Sequence, residues 1–454
     1  MQLKLSEIAE ITGGKCSGPD REVHGIAVDS RHVKKGDLFV AVVGNNADGH
    51  YFIHDAFQRG AVGALVSKEI EKKFPHVRVS SVVQALAEIA STIRDSFHGK
   101  VVAITGSVGK TTTKELLAAA LGDSTTVLKS EGNLNTEYGL PITWMKLEQS
   151  HRYAVLEMAM RGKGQIAHLC SFSRPHIGVI TSIGTAHIGE LGSREEIIKA
   201  KAELLESLPK EGLAILPMGE DFDALSHYSN CKVLSFGEQP NADVRVLSSL
   251  IYLENNTTEI EIEIKNQRFS GRIPGLGRHQ AINASAALAV CIALGIEPQM
   301  ALQRMQNAEL PNDRLRAVEC CGATLLVDVY NSSPESCKEA LKILSDAEGF
   351  SRKIAILGDM LELGEFAEFA HREIGKLVSS SDIDVLVTVG ELAPWILEEA
   401  KTRGYKGIGM SVPSSSEVAR ILENLEPGDL VLIKGSRRLQ LEKALPQEGG
   451  LINV

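Results

Sequence analysis

The sequence holds no apolar run of the roughly 18 residues that a membrane-spanning helix needs. Its first stretch, MQLKLSEIAEITGG, alternates polar residues where a signal-peptide core would sit. The expectation is a cytoplasmic protein with no stable membrane insertion. Positive charge is not in excess either: 48 Lys and Arg stand against 58 Asp and Glu, for a net charge of −10. That balance argues against nucleic acid as a main partner, so an anionic ligand has to be held by local loops. The seven cysteines include no C-x-x-C pair, although Cys320 and Cys321 are adjacent. Reduced thiols, with Cys170 and Cys291 as small core residues, explain them more simply than a metal–thiolate site. No G-x-G-x-x-G fingerprint occurs, so no nicotinamide or flavin is assigned.

What is present is a phosphate-binding pattern. The apolar run Val101 to Ile104 stops at Gly106-Ser107-Val108-Gly109-Lys110-Thr111-Thr112, and a helix-forming segment follows. Strand, glycine loop, Lys-Thr and helix come in the order of a phosphate loop. Gly106 and Gly109 let the backbone turn with its N–H groups inward, and the helix start adds partial positive charge. Lys110 is expected on the terminal phosphates and the Thr111 hydroxyl on Mg2+. The common spacing is G-x-x-x-x-G-K-[ST]; Ile104 stands where its first glycine would be. A plain strand-to-helix turn is the bland alternative.

At 454 residues the chain is too long for one core. The expected fold class is α/β with three domains. Residues 1–98 form a smaller α/β domain, 99–311 a central mononucleotide-binding parallel sheet carrying the phosphate loop, and 312–454 a Rossmann-like domain. In the first, Asp29-Ser30-Arg31 and Asp48-Gly49-His50 sit on strand-end loops, where turn capping alone would account for them. In the second, Tyr153 to Met158 reads as a buried strand with Glu157 near its carboxyl end. Ile177 to Ile183 is another, leading to His187. Ligands gather at the carboxyl ends of such strands, so Lys110, Glu157 and His187 are expected to converge. Ser193 to Leu208 reads as a helix with a capping box from Ser193 and Glu196. On it, Lys199 and Lys201 point to different faces.

The series of motifs resembles the Mur ligase family, ATP-dependent amide-forming enzymes of peptidoglycan precursor synthesis. The residues carrying the resemblance run through nearly the whole chain in order. DSRHVKKGDLFVAVVGNNADGH is similar to the family's uridine-nucleotide region. GSVGKTTTKE, GNLNTEYGLP, VLEMAM, GTAHIGELGS and KAKAEL are similar to its ATP and metal motifs, and GRHQAINASAALA to its adenine segment. LLVDVYNSSPES, AILGDMLELGE and LIKGSR are similar to its terminal domain. Two stretches depart. The usual D-D-x-Y-N-A-N-P is Val327-Asp328-Val329-Tyr330-Asn331-Ser332-Ser333-Pro334, and Met158 to Ala167 is longer and more basic than the family's stretch. These departures bear on the identity of the incoming amine, not on the ATP chemistry.

The resemblance implies ADP-forming ligation of D-alanyl-D-alanine to a UDP-N-acetylmuramoyl-tripeptide through an acyl phosphate, by a monomer acting on small molecules. It implies Lys110, Glu157, His187 and Lys201 as catalytic residues. ATP would lie on residues 106–112, Asn135, Asn283, Arg314 and Asp328. Two Mg2+ ions would be held by Thr111, Glu157, His187 and Lys201, the lysine carrying a carbamate formed with CO2. Ser30, Arg31, Asn46, Asp48 and His50 would meet the uridine nucleotide, and Tyr330, Asn331 and Ser333 the amine. Another amide ligase of this family, with a different amine, stays open. So does a P-loop nucleotide switch or kinase, although that reading leaves Lys201 and the terminal motifs unexplained.

Overall fold

The structure is a computed structural model that describes residues 3–44 and 47–445. Asn46, expected at the uridine site, lies outside the described residues. Three principal sheets follow one another along the chain.

In the first lobe, Gly25–Ala27, Asp37–Val40, Gly63–Val66 and His76–Arg78 run parallel, and Lys15–Ser17 pairs antiparallel at the edge. Asp37–Val40 and Gly63–Val66 are buried at every position, as a parallel sheet covered on both faces requires. The amphipathic helix Val82–Asp95, capped by Ser81, closes this lobe. From its last turn Arg94 donates to the carbonyls of Ser173 (3.0 Å) and Phe97 (2.9 Å), which ties the lobe to the next.

The central sheet has nine strands. Its parallel part runs Val127–Lys129, Tyr153–Glu157, Lys100–Thr105, Ile177–Ile180, Leu213–Pro217, Lys232–Gly237 and Val244–Tyr252, and an antiparallel meander, Thr257–Ile264 and Gln267–Pro274, extends it. Lys100–Thr105 therefore lies between Tyr153–Glu157 and Ile177–Ile180, the place where strand order reverses and ligands gather. The expected strand 177–183 ends at Ile180 because Thr181 and Ser182 leave the ladder to hold the phosphate loop. The Ala-rich helix Arg278–Ala293 packs against helix Lys110–Leu121, its small side chains allowing close approach.

The last sheet runs Arg316–Cys320, Ala323–Asp328, Asp429–Lys434, Arg352–Gly358, Val385–Val389 and Ile408–Val412, all parallel except the first. This is the doubly wound order expected from the alternation of elements. No helix among the described residues is long and apolar enough to cross a membrane. Cys16, Cys170, Cys231, Cys291, Cys321 and Cys337 are free thiols.

Candidate active site between the central and last lobes

The carboxyl ends of the central and last sheets face one another across a cavity of about 760 Å³. On one wall is the phosphate loop. Gly106 (φ 152°) and Gly109 (φ 87°) occupy backbone conformations that favour glycine, and a Cβ at either would overlap the Thr181 hydroxyl or the Asn283 amide. The loop is braced from the neighbouring strand end. Ser107 N–H donates to the Ser182 carbonyl (3.0 Å), Val108 N–H to Ser182 Oγ (3.0 Å), and Gly184 N–H to Ser107 Oγ (2.9 Å). Lys110 Nζ folds back to donate to the carbonyls of Gly106 (2.8 Å) and Ser107 (3.2 Å). Burial holds that ammonium below its usual pKa, with Glu157 opposing the shift. Thr112, buried at the start of the helix, and Thr111 line the same space.

Glu157 ends its strand 3% exposed. Asn135 Nδ2 donates to Oε1 at 2.9 Å, which fixes the carboxylate. Oε2 is buried with no hydrogen-bond partner, and the fully buried Lys114 ammonium stands 4.0 Å away. Lys114 itself donates to the Ser130 carbonyl (2.7 Å) and pairs with Glu115 (2.8 Å). His187 has φ 65° and lies 3.1 Å from Glu362 of the last lobe, though its buried Nδ1 makes no hydrogen bond there. Burial, and then the charges of Lys110 and Lys201, push its pKa down to about 4, so the ring is neutral near pH 7.

Lys201 is 1% exposed on helix Arg194–Glu206, while Lys199 points outward and pairs with Glu196 at 2.9 Å. The two faces separate as the spacing predicts. No ion pair to Lys201 is formed among the described residues, and desolvation drives its pKa well below the usual value, helped by Lys110. Burial of this kind favours the uncharged amine. The capping box is only half formed. Ser193 Oγ accepts from Glu196 N–H (3.3 Å), but the Glu196 carboxylate turns to Lys163 and Lys199 instead of back to the cap.

Among the described residues no three His, Cys, Asp or Glu side chains form a ready metal site. The donors that converge are Thr111, Glu157 and His187, with Lys201 close behind. An orphaned buried carboxylate oxygen in a cleft that also holds the Thr111 hydroxyl fits a hard cation that also takes phosphate oxygens.

The last lobe supplies the opposite wall. Arg314 Nη2 donates to Thr111 Oγ1 at 3.2 Å, and its guanidinium stacks 4.3 Å from the Tyr330 ring centroid. Asp328, expected with Arg314 at the nucleotide, lines the same cleft. Asp328 Oδ2 accepts from Lys434 (2.6 Å), which is 1% exposed and also donates to the Asn331 carbonyl (2.9 Å). Asn283 lies behind Gly109, where Oδ1 accepts weakly from Thr113 (3.4 Å). Ser333 lines the cleft, but its hydroxyl caps helix Pro334–Asp346 by accepting from Ser336 N–H (3.3 Å). Lys114, Ser182, Glu335, Glu362 and Lys434 were absent from the sequence-derived set. Lys114, Glu335, Glu362 and Lys434 sat in recognised stretches, GSVGKTTTKE, LLVDVYNSSPES, AILGDMLELGE and LIKGSR, without being singled out; Ser182 lay outside them.

The first-lobe candidates lie apart, at the carboxyl ends of that sheet. Asp29 accepts from Arg31 N–H (2.9 Å) and pairs with its guanidinium (2.6 Å), which lowers the Asp29 pKa to about 2; the Arg31 side chain is 77% exposed. Ser30 is buried beneath this turn. His50 Nδ1 donates to Asp48 (2.6 Å), and Nε2 accepts from the N–H groups of Ser67 (3.2 Å) and Lys68 (3.3 Å). Lys68 also pairs with Asp48 at 2.5 Å. These residues do cap turns locally, and they leave Arg31 and Lys68 as exposed cations, Lys68 near Tyr51, which is 84% exposed.

Comparison with known proteins agrees along the whole chain. Residues 22–94 match the profile of the Mur ligase family catalytic domain, 104–291 that of the Mur ligase middle domain, and 313–437 that of the Mur ligase glutamate ligase domain. The UDP-N-acetylmuramoyl-tripeptide–D-alanyl-D-alanine ligase of Bacillus subtilis (strain 168) is 33% identical, over 97% of this chain and 96% of that protein. The Escherichia coli (strain K12) ligase of the same name is 30% identical over 99% of each. A crystal structure of MurF from Acinetobacter baumannii superposes with TM-score 0.89 at 29% identity, covering 98% of both chains. The MurF ligase of Thermotoga maritima in complex with ADP gives TM-score 0.81 at 30% identity, covering 92% of this chain and 96% of that one. With a glycine loop, a buried acid and a buried lysine at the motif positions, and full-length relatives on either side, the chain belongs to the Mur ligase family.

Proposed function

We propose that this chain joins D-alanyl-D-alanine to UDP-N-acetylmuramoyl-tripeptide, consuming ATP and releasing ADP and phosphate, as a cytoplasmic monomer in peptidoglycan precursor synthesis. The observation that carries the reading is one cleft in which Lys110, Thr111, Glu157, His187 and Arg314 share a single space, in a chain whose full-length relatives bear that activity in their names. The division of labour is residues 1–98 for the uridine nucleotide, 99–311 for ATP and 312–454 for the amine.

The tripeptide carboxylate attacks the γ-phosphate of ATP, forming an acyl phosphate and releasing ADP. The amine then attacks the acyl carbon, phosphate departs and the amine gives up a proton. Both steps gather negative charge on phosphoryl oxygens, so placement and cations do most of the work. The N–H groups from Gly106 to Thr112 cradle the phosphates, and Lys110 exchanges its loop carbonyls for them. Arg314 reaches the same phosphates from the last lobe, beside Thr111. Asn135 orients Glu157, while Asn283 and Asp328 flank the nucleotide.

Lys201 is read as a carbamate: its neutral amine adds to CO2 and loses one proton, converting a buried amine into an anion. Two Mg2+ ions fit this donor set, one held by Thr111 and Glu157, the other by His187 and the Lys201 carbamate. When bound they neutralise the transferring phosphoryl group. On the substrate side, Ser30, Arg31, Asp48 and His50 take the uridine diphosphate, and Tyr330, Asn331 and Ser333 face the amine.

The test is phosphate release measured with ATP, a UDP-muramoyl-tripeptide and D-alanyl-D-alanine, omitting each in turn, with the product weighed by mass spectrometry. Release that needs both organic substrates and a product heavier by one dipeptide residue pair supports the ligase. Hydrolysis indifferent to either would point to a nucleotide switch, and a different preferred amine to another member of the family.

A further inference from the structure

The last lobe reaches the phosphate loop by a route that the chemistry above leaves unused. Glu335 stands in the first turn of helix Pro334–Asp346, and its side chain crosses the cleft to the central lobe. Its Oε1 accepts from Thr185 N–H at 2.8 Å and from Thr185 Oγ1 at 2.9 Å. The adjoining Gly184 N–H donates to Ser107 Oγ, within the phosphate loop, at 2.9 Å. One carboxylate is thus linked through two consecutive residues to the loop expected to hold the γ-phosphate. The fit is tight: a Cβ on Gly184 would stand 2.9 Å from the Glu335 carboxyl group. Glu335 Oε2 is buried with no hydrogen-bond partner, a cost that an incidental contact would avoid by turning to water.

The other contacts between these lobes go elsewhere. Glu362 accepts from Gly189 N–H at 3.3 Å and approaches His187, while Arg314 donates to Thr111. Among the described residues, Glu335 is the last-lobe side chain that hydrogen-bonds the Gly184-Thr185 segment bracing Ser107.

We propose that Glu335 is a positioning residue: by gripping Thr185 it seats the phosphate loop when the last lobe docks, so that phosphoryl transfer waits for the lobe bearing the amine. This rests on the ligase reading above and adds a residue to it. Glu335 Oε1 is taken up by Thr185, and the residue acts through Thr185, Gly184 and Ser107.

The experiment is a set of variants, Glu335→Ala, Glu335→Gln, Thr185→Val and the double Glu335→Ala/Thr185→Val, assayed for kcat and for each KM. Glu335→Ala is expected to lower kcat by ~10- to 100-fold with every KM within ~3-fold, because the loss is of orientation and not of substrate contact. Glu335→Gln keeps an acceptor oxygen for Thr185 and is expected to recover kcat to within ~3-fold of wild type. The double variant should lose little beyond Glu335→Ala, since both changes cut one link. Full kcat in Glu335→Ala, a change confined to the amine KM, or additive losses in the double variant would each overturn the proposal.

Amide hydrogen exchange at Thr185 provides a readout that needs no turnover. It should quicken in Glu335→Ala and stay protected in Glu335→Gln; unchanged protection in Glu335→Ala also overturns the proposal. Should the wild-type chain form no amide bond, the ligase reading falls on its own, while the exchange measurement still decides the contact. Should Glu335→Ala misfold, Thr185→Val, which removes one of the two donors, is expected to show the same kcat-only loss in smaller measure.

Discussion

The two halves of the cleft are built on opposite terms. In the phosphate loop, Ser107, Val108, Gly184 and the Lys110 ammonium have partners before any ligand arrives. Around Glu157, His187 and Lys201 the reverse holds: an orphaned carboxylate oxygen, an imidazole nitrogen without a hydrogen bond and a buried amine without a counter-ion lie together. A loop of backbone N–H groups can be preorganised because its own turn satisfies it. A cluster read as receiving cations and a lysine carbamate would not be satisfied in advance, and would hold its cost until those groups were in place.

The sharpest way to break this contrast is to remove the charge from each half. Lys110→Met should lower amide formation by ~10³-fold or more, through lost phosphate stabilisation. Lys201→Met should do so comparably, yet leave ADP binding by calorimetry nearly intact because Lys201 belongs to helix Arg194–Glu206 and not to the loop that cradles the phosphates. Equal loss of ADP affinity in both variants would show that the halves are not distinct.

Next in size is the loop's geometry. Gly109→Ala meets both a φ of 87° and the Asn283 amide, so ADP affinity should fall by ~100-fold, with about 1–3 kcal/mol of stability lost to strain. ADP titration and denaturant unfolding read the two quantities separately.

A smaller effect tests the cluster's unmet cost. The folded-state pKa of Lys201 is depressed, so between that value and the ordinary lysine value the unfolded chain binds more protons, and stability rises with pH. In CO2-free buffer, Lys201→Met should melt above wild type near pH 7, and the gap should narrow toward pH 10. A gap that widens with pH would sink the claim of a buried uncompensated amine.

His187 works in a lower window. Its folded pKa of about 4 lies below the unfolded value, so the stability carried by burying the neutral ring is full above roughly pH 6.5 and is lost as pH falls toward 4. His187→Gln should flatten the melting-temperature profile across that interval and leave it unchanged at pH 8. Smallest for the fold is Arg31→Ala: its side chain is mostly solvent-exposed, so melting should shift by only about 1–2 °C, while KM for the uridine substrate rises ~10-fold. A kcat effect instead would place Arg31 outside substrate binding.

Much of this was legible in residue order. Val101 to Thr112 specified strand, turn and helix because Gly106 and Gly109 permit backbone that other residues resist. The alternation of buried strands and helices specified parallel sheets, and the motif series specified the family. The misses share a physical cause. Glu335 and Lys434 act across spans of 150 and 106 residues, and local pattern carries no information about partners so far apart. The Glu196 carboxylate had a local role on paper, but nearby lysines offered it opposite charge, and it turned to them. Asp328 was read only as a nucleotide residue, yet it also binds the buried ammonium of Lys434 across its own sheet.

By itself, then, the order of residues determined the three sheets, the phosphate loop and which lysine of the 199 and 201 pair faces inward. These are matters of short-range sterics and periodicity. Tertiary structure alone decided which charges go unpaired, since that depends on what the folded chain brings within a few ångströms and how completely it excludes water. It likewise decided that the last lobe grips the central one through Glu335 and Thr185.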